Sequence, residues 1–173
     1  MKKVLIIDTS ILCVYLGVPG KETCGSENNK WSKIKVDEIL KKEEEAKTTF
    51  VLPLATIIET GNHIAQALTK RYEIAKELSN LMKLTADNQT PWAAFIEPSV
   101  LWNAENLKQL ADEFPNFASR GFALGDATIK QIADYYHRQG NQVEIFTGDE
   151  SLKSYQPLQP PLIPRRRQRK SKN

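Results

Sequence analysis

Apolar residues follow two rhythms along this chain: unbroken runs of three or four, and stripes spaced three or four residues apart. Val4-Leu5-Ile6-Ile7 is such a run, β-branched at three of four positions, and reads as a buried parallel strand. Phe50-Val51-Leu52, stopped by Pro53, and Val143-Glu144-Ile145-Phe146 predict two more. Helical stripes fill the intervals. Ile11 to Leu16 predicts a short helix, and Ser32 to Ala46 a longer one with Ile34, Val36, Ile39 and Leu40 on its apolar face. Thr56 to Leu68 is expected to pack through Ile57, Ile58, Ile64, Ala65 and Leu68. Tyr72 to Leu84 is expected to pack through Ile74, Leu78, Leu81 and Met82. Asn103 to Phe114 reads as a helix broken by Pro115. Leu124 to Gln139 carries Ile129, Ile132, Ala133 and Tyr136 on one face and is closed by Gly140. Val18–Trp31, rich in glycine and asparagine, predicts a loop, as does 85–100 apart from one short element near Phe95-Ile96. Strands alternating with helices argue an α/β fold around a parallel sheet.

Composition narrows the class. A length of 173 residues suits one domain, large enough to bury roughly 70% of its unfolded surface. The two cysteines, Cys13 and Cys24, exclude a disulfide framework and a four-cysteine zinc site. The first apolar run is too short for a signal peptide, and no stretch approaches the ~20 apolar residues of a membrane span. A cytoplasmic protein with no membrane partner is therefore expected. The formal charge of +3 conceals an asymmetry. Between Pro157 and Asn173 lie Arg165, Arg166, Arg167, Arg169, Lys170 and Lys172 with no acid, which leaves 18 basic against 21 acidic residues in the body. The expected organisation is a domain over 1–156 and a proline-rich, then basic, disordered tail over 157–173.

Candidate chemistry gathers where strands end, because parallel sheets bind ligands beyond the carboxyl ends of their strands. Asp8 directly follows the first strand, and Asp149 follows Phe146 by three residues. Glu59 sits early in the helix after Leu52-Pro53, and Asp126 opens the helix before the third strand. Any one of these acids could simply complement a helix dipole. Four at equivalent ends point elsewhere, since converging carboxylates repel unless cations neutralise them. An all-oxygen donor set suits Mg²⁺ or Mn²⁺, and such sites perform phosphoryl chemistry.

The ordered segments VLIIDTSIL, LPLATIIETGN, GFALGDATIKQIADYY and VEIFTGDESL resemble a PIN domain, the fold of VapC-like toxin ribonucleases and related nucleases. The resemblance spans about residues 3 to 155 and implies a three-layer α/β/α fold with parallel strand order 3-2-1-4-5. It implies catalytic and metal-holding roles for Asp8, Glu59, Asp126 and Asp149, with one or two Mg²⁺ or Mn²⁺ ions. Thr9, Ser10 and Thr147 match its accompanying hydroxyl positions. The implied activity is metal-dependent endonucleolytic cleavage of RNA, as in the toxin of a toxin–antitoxin pair, with an antitoxin or other protein partner and a homodimer as further expectations. The segments 18–31 and 85–102 look like insertions relative to compact toxins, a fifth strand would have to come from Ser151–Leu158, and the basic tail is not shared.

Several residues carry weaker signals. Asn62, three residues after Glu59, could support it, and His63 lies on the same helix face. Cleavage through the RNA 2′-hydroxyl usually needs paired acid–base groups, and the only two histidines, His63 and His137, lie on different helices. Water attack yielding 5′-phosphate and 3′-hydroxyl ends is therefore the expected route. Arg120 and Lys130 could hold the phosphate, and the tail residues Arg165, Arg166, Arg167, Arg169 and Lys170 could track a polyanion. Trp31, Trp92 and Trp102 could stack bases or fill core and interface positions. Ser10 stands where a haloacid-dehalogenase-type phosphatase requires a second aspartate. No phosphate-binding glycine motif occurs. The alternatives are a non-catalytic nucleic-acid-binding or interaction module on the same fold, and a structure-specific DNA nuclease.

Overall fold

Period-2 alternation along the first strand explains why its apolar run is unbroken. A computed structural model of the chain describes residues 1–93 and 102–158. In it, β1 (Lys3–Ile7) is the middle of a three-stranded parallel sheet, between β4 (Thr49–Val51) and β5 (Gln142–Phe146). Leu5 and Ile7 join Phe50, Leu52 and Phe146 against α1 (Thr9–Leu16), α2 (Lys33–Glu45), α3 (Leu54–Gln66) and α4 (Arg71–Ala86). Val4 and Ile6 point the other way, to Val51, Val143 and Ile145, and meet Ile129, Ile132 and Ala133 of α6 (Leu124–Arg138) and Leu152 of α7 (Glu150–Lys153). With helices on both faces, neither side of β1 can be polar. A third cluster joins Leu110 and Phe117 of α5 (Ala104–Ala118) to Ala127.

The predicted elements lie where expected, with instructive departures. The 18–31 loop contains a short antiparallel ribbon, β2 (Thr23–Cys24) paired with β3 (Trp31–Ser32), around a 3₁₀ turn at Glu27–Asn29. Trp31 fixes it to the sheet by packing edge-on against Phe146, ring centroids 5.1 Å apart. Pro115 does not break α5, which continues for three residues beyond it. A mid-helix proline costs about 3 kcal/mol, but Phe117 in the following turn is buried and packs on Phe122 and Tyr155, which offsets the lost backbone bond. Five residues expected in apolar stripes are exposed instead: Ile34, Ile58, Ala65, Leu68 and Met82. Each sits at the margin of a face whose inner positions (Val36 and Leu40, Ile57 and Ile64, Leu78 and Leu81) already fill the contact.

The segment Ser151–Leu158 forms no strand. Asp149 caps α7 by accepting from the backbone N–H groups of Ser151 and Leu152, which turns the chain into a helix where a fifth strand was expected. Beyond β4, Trp92 makes one isolated parallel bridge to Phe50. Trp92 is buried with its ring 5.5 Å from that of Phe50, a core position. The expected element near Phe95-Ile96 and the tail residues Arg165, Arg166, Arg167, Arg169 and Lys170 lie outside the described residues. Among the described residues no helix is long and apolar enough to cross a membrane.

Candidate active site

Asp8 is held by two structures at once. Its backbone N–H donates to Phe146 O, 3.0 Å away, continuing the β1–β5 ladder, while its extended conformation makes it the N-cap of α1. Next door, the Thr56 hydroxyl donates to Ile7 O at 3.1 Å and ties the start of α3 to the end of β1. Glu59, one turn further along α3, is thereby brought beside the Asp8 strand end. Asp126 lies in the first turn of α6, and Asp149 follows β5 at the cap of α7. All four acids line one cavity of about 370 Å³ together with Thr9, Ser10, Cys13, Lys21, Thr23, Cys24, His63 and Ala123.

Each carboxylate is tethered through one oxygen. Asp8 Oδ2 accepts from the Ser10 hydroxyl (2.7 Å), the Thr147 hydroxyl (2.8 Å) and the Ser10 N–H (3.2 Å). Thr9 donates its hydroxyl to Glu59 Oε2 at 3.0 Å. The Ala123 N–H donates to Asp126 Oδ2 at 2.9 Å, and Asp149 Oδ1 caps α7. Thr147 has a second task, accepting from the Asp149 N–H at 2.9 Å, so one buried hydroxyl sets two acids. The other oxygen of each acid has no hydrogen bond, and none of the four acids forms an ion pair, among the described residues.

The electrostatic consequence shows at Asp126. Burial raises its pKa, the Ala123 N–H opposes this, and the charges of Asp8, Asp149 and Glu59 raise it further. An excess of negative charge therefore stands in the cavity, with Lys21 the one Lys or Arg among its lining residues. Oxygen donors of this kind suit a hard divalent cation. Among the described residues no group of three or more His, Cys, Asp or Glu is placed to hold a metal ion. Mg²⁺ retains several waters and can be held by one or two carboxylates, so it does not require such a group.

Glycine permits this convergence. A Cβ on Gly125 would overlap the Glu59 carboxylate, and one on Gly148 would stand 2.7 Å from Cys24 Sγ and 2.8 Å from Gly25 N. The first contact lets α6 approach α3, and the second seats the β2–β3 ribbon against the turn that carries Asp149.

The other expected site residues divide. Thr9, Ser10 and Thr147 hold the acids, and His63 lines the cavity, as expected from its place on α3. Asn62 is exposed and does not line it. Lys130 pairs with Asp134 one turn on and faces a separate polar groove between α5 and α6. Arg120 donates to Asn116 O and stacks over Phe117 and Tyr155, so the third cluster holds it away from the acids. Trp102 is part-exposed beside Ile58 and Leu124 on an apolar cavity of about 250 Å³ that shares Glu59 with the acidic one. Lys21, Thr23 and Cys24 were missed because 18–31 read as a plain loop. The signal for them was the punctuation by Gly20 and Gly25, both at positive φ, around a short β-compatible run.

Comparison of the chain with family models, with curated proteins and with solved structures returned no match.

Proposed function

We propose that the chain is a PIN-like endoribonuclease that hydrolyses RNA phosphodiesters with one or two Mg²⁺ or Mn²⁺ ions held by Asp8, Glu59, Asp126 and Asp149. One observation carries the reading: four acids from β1, α3, α6 and the end of β5 share one cavity, each tethered through one oxygen and with no cationic partner among the described residues. The strand arrangement is compatible. The three described strands, parallel with β1 in the middle between β4 and β5, match the adjacent positions 2-1-4 of a 3-2-1-4-5 sheet.

A bound divalent cation would supply acidified water and charge stabilisation for the departing oxygen. The protein supplies the positions. Thr147 and Ser10 fix Asp8, and Thr9 fixes Glu59, before any substrate arrives, so little reorganisation is needed during reaction. Hydrolysis by water, giving 5′-phosphate and 3′-hydroxyl ends, is favoured over use of the 2′-hydroxyl because His63 has no second histidine beside it in the cavity.

The test is cleavage of a labelled oligoribonucleotide, run in parallel with the matching DNA. Cleavage of RNA that stops in EDTA and in Asp8→Asn, with the fold and RNA binding kept, is expected. Undiminished cleavage under either condition removes the proposal. Preferential cutting of DNA changes the substrate, and binding without cutting under any divalent ion would favour a non-catalytic module.

A further inference from the structure

A nuclease built on four carboxylates must admit a substrate of the same sign as its own walls. Divalent ions relieve part of this conflict, and a fixed cation aimed at the phosphate relieves more. The two basic residues that the sequence offered for that task, Arg120 and Lys130, are engaged elsewhere. Lys21 stands in the right place. It lines the cavity beside Cys13 and Thr23, with no other Lys or Arg among the described lining residues.

Its backbone is anchored while its charge is free. Val18, fully buried, donates its N–H to Cys13 O at 3.0 Å, and the Lys21 N–H donates back to Val18 O at 2.9 Å. Gly20 at φ +82° makes the reversal between them. The nearby acid Glu22 accepts from the Gly20 N–H rather than pairing with the lysine. Two residues on, β2 is clamped to β3 and seated against Gly148. The side chain therefore springs from a fixed base, is exposed, and forms no ion pair among the described residues, even with four carboxylates lining the same cavity.

We infer that Lys21 is the phosphate-binding cation of this site, its ammonium donating to a non-bridging oxygen of the phosphodiester that lies across the four carboxylates. The inference rests on the nuclease reading for its substrate class but not for its test. With this one charge-assisted hydrogen bond to the phosphate lost, Lys21→Met is expected to lower kcat/KM about 10- to 100-fold. Lys21→Arg keeps the charge and is expected to retain most of the activity.

The experiment measures oligoribonucleotide cleavage for the wild-type chain, Lys21→Met and Lys21→Arg. It also measures RNA binding against salt with the same Lys21 variants in an Asp8→Asn background, where nothing is cut. In Lys21→Met the slope of log Kd against log salt is expected to shrink by about one, while the thermal shift produced by Mg²⁺ is kept. An unchanged kcat/KM with an unchanged salt slope overturns the inference. So does equal loss in Lys21→Met and Lys21→Arg, which would make the role structural. A wild-type chain that binds RNA without cutting it removes the nuclease reading alone, and the salt slope still decides Lys21.

Discussion

Replacing Asp126 by Asn separates the stability of this protein from its proposed chemistry. Asn keeps the volume and can still accept the Ala123 N–H, so the cap on α6 survives while one of four like charges disappears. The raised pKa of Asp126 means that its charged form is less favourable in the folded chain than in the unfolded one, first through burial and then through the three other acids. The sign follows directly. The penalty is absent below the unfolded aspartate value of about 3.9, grows as pH rises through it, and is complete above the higher folded value. Asp126 is only half-buried, so its repulsions are screened by solvent as near-surface charge pairs are, and removing its charge is expected to gain about 0.5–1 kcal/mol near pH 7. For a chain of this length that is about 1–4 °C in melting temperature. Thermal melts in EDTA should show Asp126→Asn above wild type near pH 7 and level with it near pH 3. Adding Mg²⁺ should close the gap: at about ten times Kd, binding adds about 1.4 kcal/mol to wild type, or about 3–6 °C, and less than half of that to the variant. Melting curves that rank Asp126→Asn below wild type in EDTA, or equal Mg²⁺ shifts in the two proteins, would refute the charge-repulsion argument.

Three further changes probe the same geometry. Gly125→Ala adds a methyl group against the Glu59 carboxylate, the mobile end of a side chain. Melting temperature should hold or rise slightly, since alanine favours a helix, while cleavage falls at least tenfold; full activity would show that the position of Glu59 is unimportant. Thr147→Val removes the hydroxyl that donates to Asp8 and accepts from the Asp149 N–H. It should cost about 1–3 kcal/mol in chemical denaturation as well as activity, with Thr147→Ser restoring both; a silent Thr147→Val would discount the tether. Burial pushes the Cys13 thiol up to about 11, with Thr60 and Lys21 opposing, and burial also raises Cys24. Near pH 8, iodoacetamide should therefore modify Cys24 slowly and Cys13 only on unfolding, as mass spectrometry of the folded and denatured chain would report; rapid labelling of Cys13 in the folded chain would contradict its placement.

What the sequence determined by itself is whatever local geometry enforces. Val4–Ile7 had to be a strand covered on both sides, because no polar position breaks the run. Asp8 and Asp149 were legible as site candidates because each closely follows the end of a strand, although the helix that Asp149 caps stands where a fifth strand was expected. The margins were not legible. Ile58 and Leu68 match a helical stripe as well as Ile57 and Ile64 do, and only the width of the neighbouring surfaces leaves the first pair exposed. Pro115 looked like a terminator because its local cost is visible in sequence, whereas the packing of Phe117 that offsets it is not. The cations depended most on tertiary structure. Arg120 and Lys130 are near Asp126 in sequence yet spend their charge on Phe117, Tyr155 and Asp134, while Lys21, in a segment that read as a loop, lines the cavity of the acids because Gly20, Gly25 and Gly148 let a small ribbon close over the sheet end. Capping is a short-range interaction written in adjacent residues. Which charges meet across a cavity is set by strands and helices more than a hundred residues apart, and only the packed sheet brings Asp8 and Asp149 within reach of one threonine.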